Sequence, residues 1–102
     1  MKMKLTTFAV FAVCLFMQPI AMAGDANAGK TKSESCAMCH GKNGKSTNPN
    51  NPSLAGQQKN YLIKAIKDYK EGKRKDATMG SMVSTLTDAD IENIAEYYSS
   101  IK

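Results

Sequence analysis

Cys36-Ala37-Met38-Cys39-His40 places two thiols three positions apart, with an imidazole directly after the second. Each known use of such a cluster carries its own requirements. A thioredoxin-like redox pair needs a βαβ setting, and no strand-like alternation surrounds these residues. A structural zinc site needs four ligands, and from Gly24 onward the chain offers no other thiol or imidazole. A bare disulfide would leave His40 without a role.

The compartment narrows the choice. Lys2 and Lys4 precede an apolar run from Leu5 to Met17, Pro19 breaks it, and Ala21-Met22-Ala23 is a small-x-small cleavage site. This is the pattern of a secretory signal peptide over residues 1–23, ahead of one domain over residues 24–102. The run is shorter than the ~20 residues of a spanning helix, so no membrane anchor is expected. Phe11-Ala12-Val13 makes a poor site for lipoprotein processing at Cys14. In an exported chain, Cys-x-x-Cys-His is the attachment site of c-type haem. Two thiols at this spacing near a helix end reach the two vinyl groups of one porphyrin as thioethers. The adjacent imidazole then lies under the ring as an iron ligand. One covalent haem c on Cys36 and Cys39, with His40 on the iron, is the expectation.

Composition agrees with a chain that needs a cofactor to fold. From Gly24 onward there are three Leu, five Ile, one Val and no Phe or Trp. Those nine residues are about 11% of the segment, below the ~20% at which a chain begins to read as disordered. Domains this small usually borrow stability from disulfides, metals or cofactors.

His40 is the sole imidazole of the chain, so bis-histidine ligation is excluded. Met38 sits between the cysteines, on the His40 side of a bound ring. A sixth ligand would come from a Met, a Lys or a terminal amine, or the position is open. Of the methionines, Met79 and Met82 remain as candidates, in the stretch Asp76-Ala77-Thr78-Met79-Gly80-Ser81-Met82. That stretch reads as a loop, and Gly80 would permit a close backbone approach. Most methionines are packing residues, and either of these could be one.

The rest of the chain reads as helices and turns. A first helix is expected from Asp25 to about Cys36, then a long turn-rich loop from Gly41 to Gly56. A second helix runs from about Gln57 to Glu71, with Tyr61, Leu62, Ala65, Ile66 and Tyr69 on one side and Gly72 as its stop. Thr87 caps a final helix reaching about Ile101, with Asp88 and Asp90 in its first turn. No strand is convincing.

These residues together resemble a small soluble class I c-type cytochrome, similar to one half of the two-haem periplasmic cytochromes. The resemblance covers Gly24 to Lys102: Gly24-Asp25-Ala26 and Gly29, the haem motif with Gly41, Pro52 to Gln57, Tyr61-Leu62, Met79 to Met82, and Ile94 to Tyr98. It implies an all-α fold of three main helices, with the first and last crossing around one covalently bound haem. It implies Met79 rather than Met82 as the ligand opposite His40. It also implies that the Pro52 carbonyl bonds the ligand imidazole, which fixes the ring and raises its basicity. Gly29 falls where a small residue lets the first helix approach the last, against Ile94 and Tyr97.

A haem with both axial positions filled has no place for substrate or dioxygen, so a single-electron carrier is expected rather than an enzyme. The partners would be redox proteins of a periplasmic respiratory chain, such as a dehydrogenase, a cytochrome complex or a terminal oxidase or reductase, and the carrier a monomer. A haem enzyme or gas sensor with an open sixth position is the alternative. A peroxidase would need more chain and distal acid–base groups. Nucleic-acid binding does not fit an exported domain of net charge +3 with interleaved acids. Seven basic residues lie between Lys59 and Lys75. They form either a solvated face or a rim that steers an acidic redox partner.

Overall fold

A computed structural model describes residues 2–4 and 24–102. The proposed signal peptide lies almost wholly outside the described residues. Among the described residues there are five α-helices and no strand: α1 (Ala26–Lys32), α2 (Glu34–His40), α3 (Lys59–Glu71), α4 (Ala77–Val83) and α5 (Asp88–Ser100). A single 3-10 turn, Lys42–Gly44, follows α2. No described helix is long and apolar enough to cross a membrane.

The expected first helix is divided. Asp25 caps α1 through its carboxylate, which accepts from the backbone N–H groups of Asn27 and Ala28. The chain leaves helical geometry at Ser33 (φ −88°, ψ 5°), whose buried hydroxyl donates to the Lys30 carbonyl at 3.0 Å. A side chain that bonds back into its own turn competes with the helical ladder, and the helix breaks there. Beyond the break, α2 carries the whole thiol–imidazole motif.

α5 is the spine of the core. Ile91, Ile94, Ala95 and Tyr98 recur at helical spacing and are buried, with Leu62 of α3, Val83 of α4 and Leu86 packed against them. Thr87 and Asp90 form a capping box at its start: Asp90 N–H donates to the Thr87 hydroxyl at 3.1 Å and Thr87 N–H to the Asp90 carboxylate at 2.9 Å. α1 crosses α5 at Gly29. A Cβ on Gly29 would stand 1.9 Å from the Asn93 carbonyl oxygen, so only glycine admits the approach. The closest contact is to the backbone of Asn93 and Ile94. Lys59 of α3 bridges Glu92 and Glu96 of α5 at 3.4 and 3.0 Å.

The segment around Met79 corrects the expectation of a loop. Residues 77–83 form α4, and the Asp76 carboxylate caps it by accepting from Met79 N–H at 2.9 Å. Asp before Ala77 was a legible cap signal, masked by the low helix propensity of Gly80 and Ser81. Gly80 is not needed for close approach within the protein, because a Cβ there would meet only the Tyr69 carbonyl, at 3.8 Å.

Candidate haem site

α2 ends at His40, and the chain turns at Gly41 so that the following loop folds back over the helix end. Backbone bonds pin that loop. Leu54 and Ala55 N–H both donate to the Gly44 carbonyl, at 2.8 and 3.1 Å, and Gly56 N–H donates to the Tyr98 carbonyl at 2.9 Å. Gly44 holds a left-handed conformation (φ 71°), and a Cβ there would sit 2.6 Å from the Tyr98 ring. The loop therefore rests directly on α5 and needs glycine at that point.

Pro52 is delivered to His40 by this arrangement. The imidazole is 7% exposed, and its Nδ1 donates to the Pro52 carbonyl oxygen at 2.8 Å. Asn51 reinforces the contact, its side-chain amide donating to the Cys39 carbonyl at 3.1 Å. With Nδ1 committed as donor, Nε2 is the ring's free acceptor.

Cys36, Cys39, His40, Pro52, Met79 and Met82 all line one cavity of about 450 Å³. Its wall is mainly apolar and includes Leu54, Leu62, Ile66 and Val83. Among the described residues Cys36 and Cys39 form no disulfide, Cys36 being half-buried and Cys39 exposed. Burial pushes the Cys36 thiol above its ordinary value, against a smaller lowering by the Ser35 hydroxyl. Met79 is partly buried against the core cluster, whereas Met82, one turn on, is 44% exposed. The structure thus brings together every predicted site residue, and separates the two methionines by burial.

Two features of the site were not anticipated. The Arg74 guanidinium lies over the Tyr69 ring, 4.7 Å from its centroid, and both residues line the cavity with Tyr61. Among the described residues the buried Tyr98 hydroxyl has no hydrogen-bond partner, and burial raises its pKa above the ordinary value. The sequence marks Arg74 only as one basic residue among seven, and Tyr98 only as an apolar-face residue.

A mainly apolar cavity with two thiols, an imidazole bonded through Nδ1 and a thioether on its wall fits a flat, iron-bearing macrocycle attached through sulfur. The architecture and this donor set define the class of covalent-haem, all-α electron-transfer proteins. The profile of the family described as "Cytochrome c" matches residues 26–102, and the chain belongs to that family, whose cofactor is covalently bound haem c. Cytochrome c4 of Pseudomonas aeruginosa is 46% identical over 80 residues, covering 78% of this chain and 40% of the relative. Cytochrome c-554(548) of Halomonas halodenitrificans is 47% identical over 81 residues, covering 76% of this chain and 98% of the relative. The crystal structure of reduced recombinant cytochrome c4 from Pseudomonas stutzeri superposes with a TM-score of 0.74 at 45% identity, covering 78% of this chain and 47% of that one. The chain thus spans about 40% of the length of the P. aeruginosa cytochrome c4 and nearly all of cytochrome c-554(548).

Proposed function

We propose that the domain from Gly24 to Lys102 is a periplasmic carrier of single electrons, released from its signal peptide and holding one haem c. Cys36 and Cys39 form the thioethers, and His40 and Met79 are the axial iron ligands. When bound, haem supplies an iron that cycles between ferric and ferrous states. The observation that carries the reading is the 2.8 Å bond between His40 Nδ1 and the Pro52 carbonyl. That bond selects the tautomer whose Nε2 lone pair is available, and it holds the ring in one orientation through redox cycling. Met79, on the cavity wall, would supply the second iron ligand, which would leave no open position for a substrate and favours a carrier over an enzyme. The apolar wall excludes water, and a low-dielectric surround favours the less charged ferrous state.

The partners in this reading are redox proteins that dock transiently on a monomer. Lys59, Lys64 and Lys73 are each tied to acids of this chain and Lys70 donates to the Leu86 carbonyl, so Lys67, Arg74 and Lys75 are the basic residues left to steer an acidic partner. Denaturing mass spectrometry of the purified protein tests the cofactor part: peptide 24–102 plus one haem is expected, and bare peptide contradicts it. Stopped-flow electron exchange with an acidic redox protein tests the carrier part. Rates should fall as salt rises, because exposed charges are screened beyond about 8 Å at physiological ionic strength. Rates that stay flat would reduce the basic stretch to a solvated face.

A further inference from the structure

The start of the domain lies directly on α5. A Cβ on Gly24 would stand 2.4 Å from the Glu92 carbonyl oxygen and 3.0 Å from the Glu96 Cβ, so glycine alone fits without a shift. The next residue is held to the same helix, with Asp25 N–H donating to the Asn93 side-chain carbonyl at 2.8 Å. The Gly24 nitrogen is one bond, about 1.5 Å, from its Cα. It therefore lies beside the stretch of α5 that bears Glu92 and Glu96. Those carboxylates are four residues apart on one helix face, a like-charge spacing that destabilises a helix. Among the described ion pairs they share one cation, Lys59, at 3.4 and 3.0 Å. The neighbouring charges are engaged elsewhere, Asp25 in capping α1 and Lys32 in pairing with Asp90. One acidic charge is left over beside Gly24.

We infer that the Glu92–Glu96 pair is the receptor for the amino terminus that signal-peptide removal creates. Water adds across the Ala23–Gly24 amide, leaving a carboxylate on the released peptide and an ammonium on Gly24. Before that step the Gly24 nitrogen is a neutral amide with one N–H. Afterwards it is a cation with three, protonated at neutral pH. This cation supplies the second positive charge that two carboxylates call for. It fastens the start of α1 to α5, ahead of the crossing at Gly29. Export processing thereby completes the packing of the helix pair that leads into the thiol–imidazole motif.

This rests on the proposed cleavage after Ala23, so mass spectrometry of the purified holoprotein first records its terminus. A start other than Gly24 overturns that reading, and the receptor with it. Stability to denaturant is then compared for two starts: Gly24 itself, and one alanine inserted before it, which moves the ammonium about 3.8 Å along the chain. Each start is made with native α5 and with Glu92→Gln/Glu96→Gln. With native α5 the extra residue should raise the unfolding equilibrium constant about 2- to 5-fold, the range of an exposed ion pair. With both glutamates replaced it should make no difference, because Lys59 loses its partners equally with either start. Should the inserted chain be recut at Gly24, capping the Gly24 amine of the holoprotein with cyanate provides the uncharged start. Equal stability of the two starts on native α5 overturns the receptor. A loss of the same size without the glutamates assigns the effect to the bulk of the added group, and overturns it too.

Discussion

Nδ1 of His40 and the carbonyl oxygen of Pro52 lie 2.8 Å apart, joining the end of α2 to a loop twelve residues downstream. The donor is a side chain and the acceptor is backbone, so substitution at Pro52 tests the loop rather than the bond. Pro52→Ala keeps the carbonyl and frees the unfolded chain, which costs about 0.4–1 kcal/mol of stability. Denaturant titration of the holoprotein should show that loss with the reduction potential nearly unchanged. A large drop in potential at native stability would mean that the proline ring itself tunes the site.

Gly29 and Gly80 should respond in opposite ways to the same change. At Gly29 a methyl group would meet the Asn93 backbone at 1.9 Å, and forcing α1 away from α5 costs about 1–3 kcal/mol. At Gly80 the space is open and the backbone helical. Gly80→Ala should be neutral or stabilising by up to about 1 kcal/mol. Thermal melts of the two variants check both signs. A Gly29→Ala protein as stable as the native one would show that α1 is not seated as described.

The capping box of α5 predicts a pH dependence. Thr87 N–H bonded to the Asp90 carboxylate is the main cause holding that carboxyl below its ordinary value, with Lys32 adding a smaller lowering. A depressed folded-state pKa gives stability that is present above the unfolded value, about 3.9, and lost as pH falls through the folded one. Asp90→Asn should therefore be less stable than native at neutral pH, with the gap narrowing below about pH 4. A gap that is constant with pH would remove the carboxylate charge from the cap.

The haem is also expected to be structural. The buried core consists of Leu62, Val83, Leu86, Ile91, Ile94, Ala95 and Tyr98, and the cavity of about 450 Å³ opens beside it. A Cys36→Ala/Cys39→Ala chain that cannot attach haem leaves that apolar wall to water. It should lose most helical circular dichroism at room temperature. A cooperatively folded, fully helical haem-free protein would contradict this.

What the sequence made legible follows from the range of the signals. The thiols and imidazole of the site are local, and so are the Thr87 cap, the Gly72 stop and the α5 stripe from Ile91 to Tyr98. The break at Ser33 turns on one hydroxyl bonding back to Lys30, which helix periodicity does not record. α4 was hidden because Gly80 and Ser81 lower propensity while the Asp76 cap and packing on α3 restore it. The stacking of Arg74 on Tyr69 is set by how the chain leaves α3, and its composition looks like any other basic run.

Met79 as the second iron ligand is the central claim, and one pair of variants tests it most directly. Both methionines lie on α4 three residues apart and on the same cavity, but Met79 is the more buried and is packed against the core, while Met82 is 44% exposed. A thioether–iron bond gives the oxidised protein a weak charge-transfer band at the red end of the visible spectrum. Met79→Ala should abolish that band, lower the potential and let the ferrous protein bind carbon monoxide. Met82→Ala should keep the band and lose only packing, less than the roughly 1.5–3 kcal/mol of a fully buried side chain. Loss of the band in Met82→Ala with its retention in Met79→Ala would contradict the assignment, and retention in both would remove methionine from the iron.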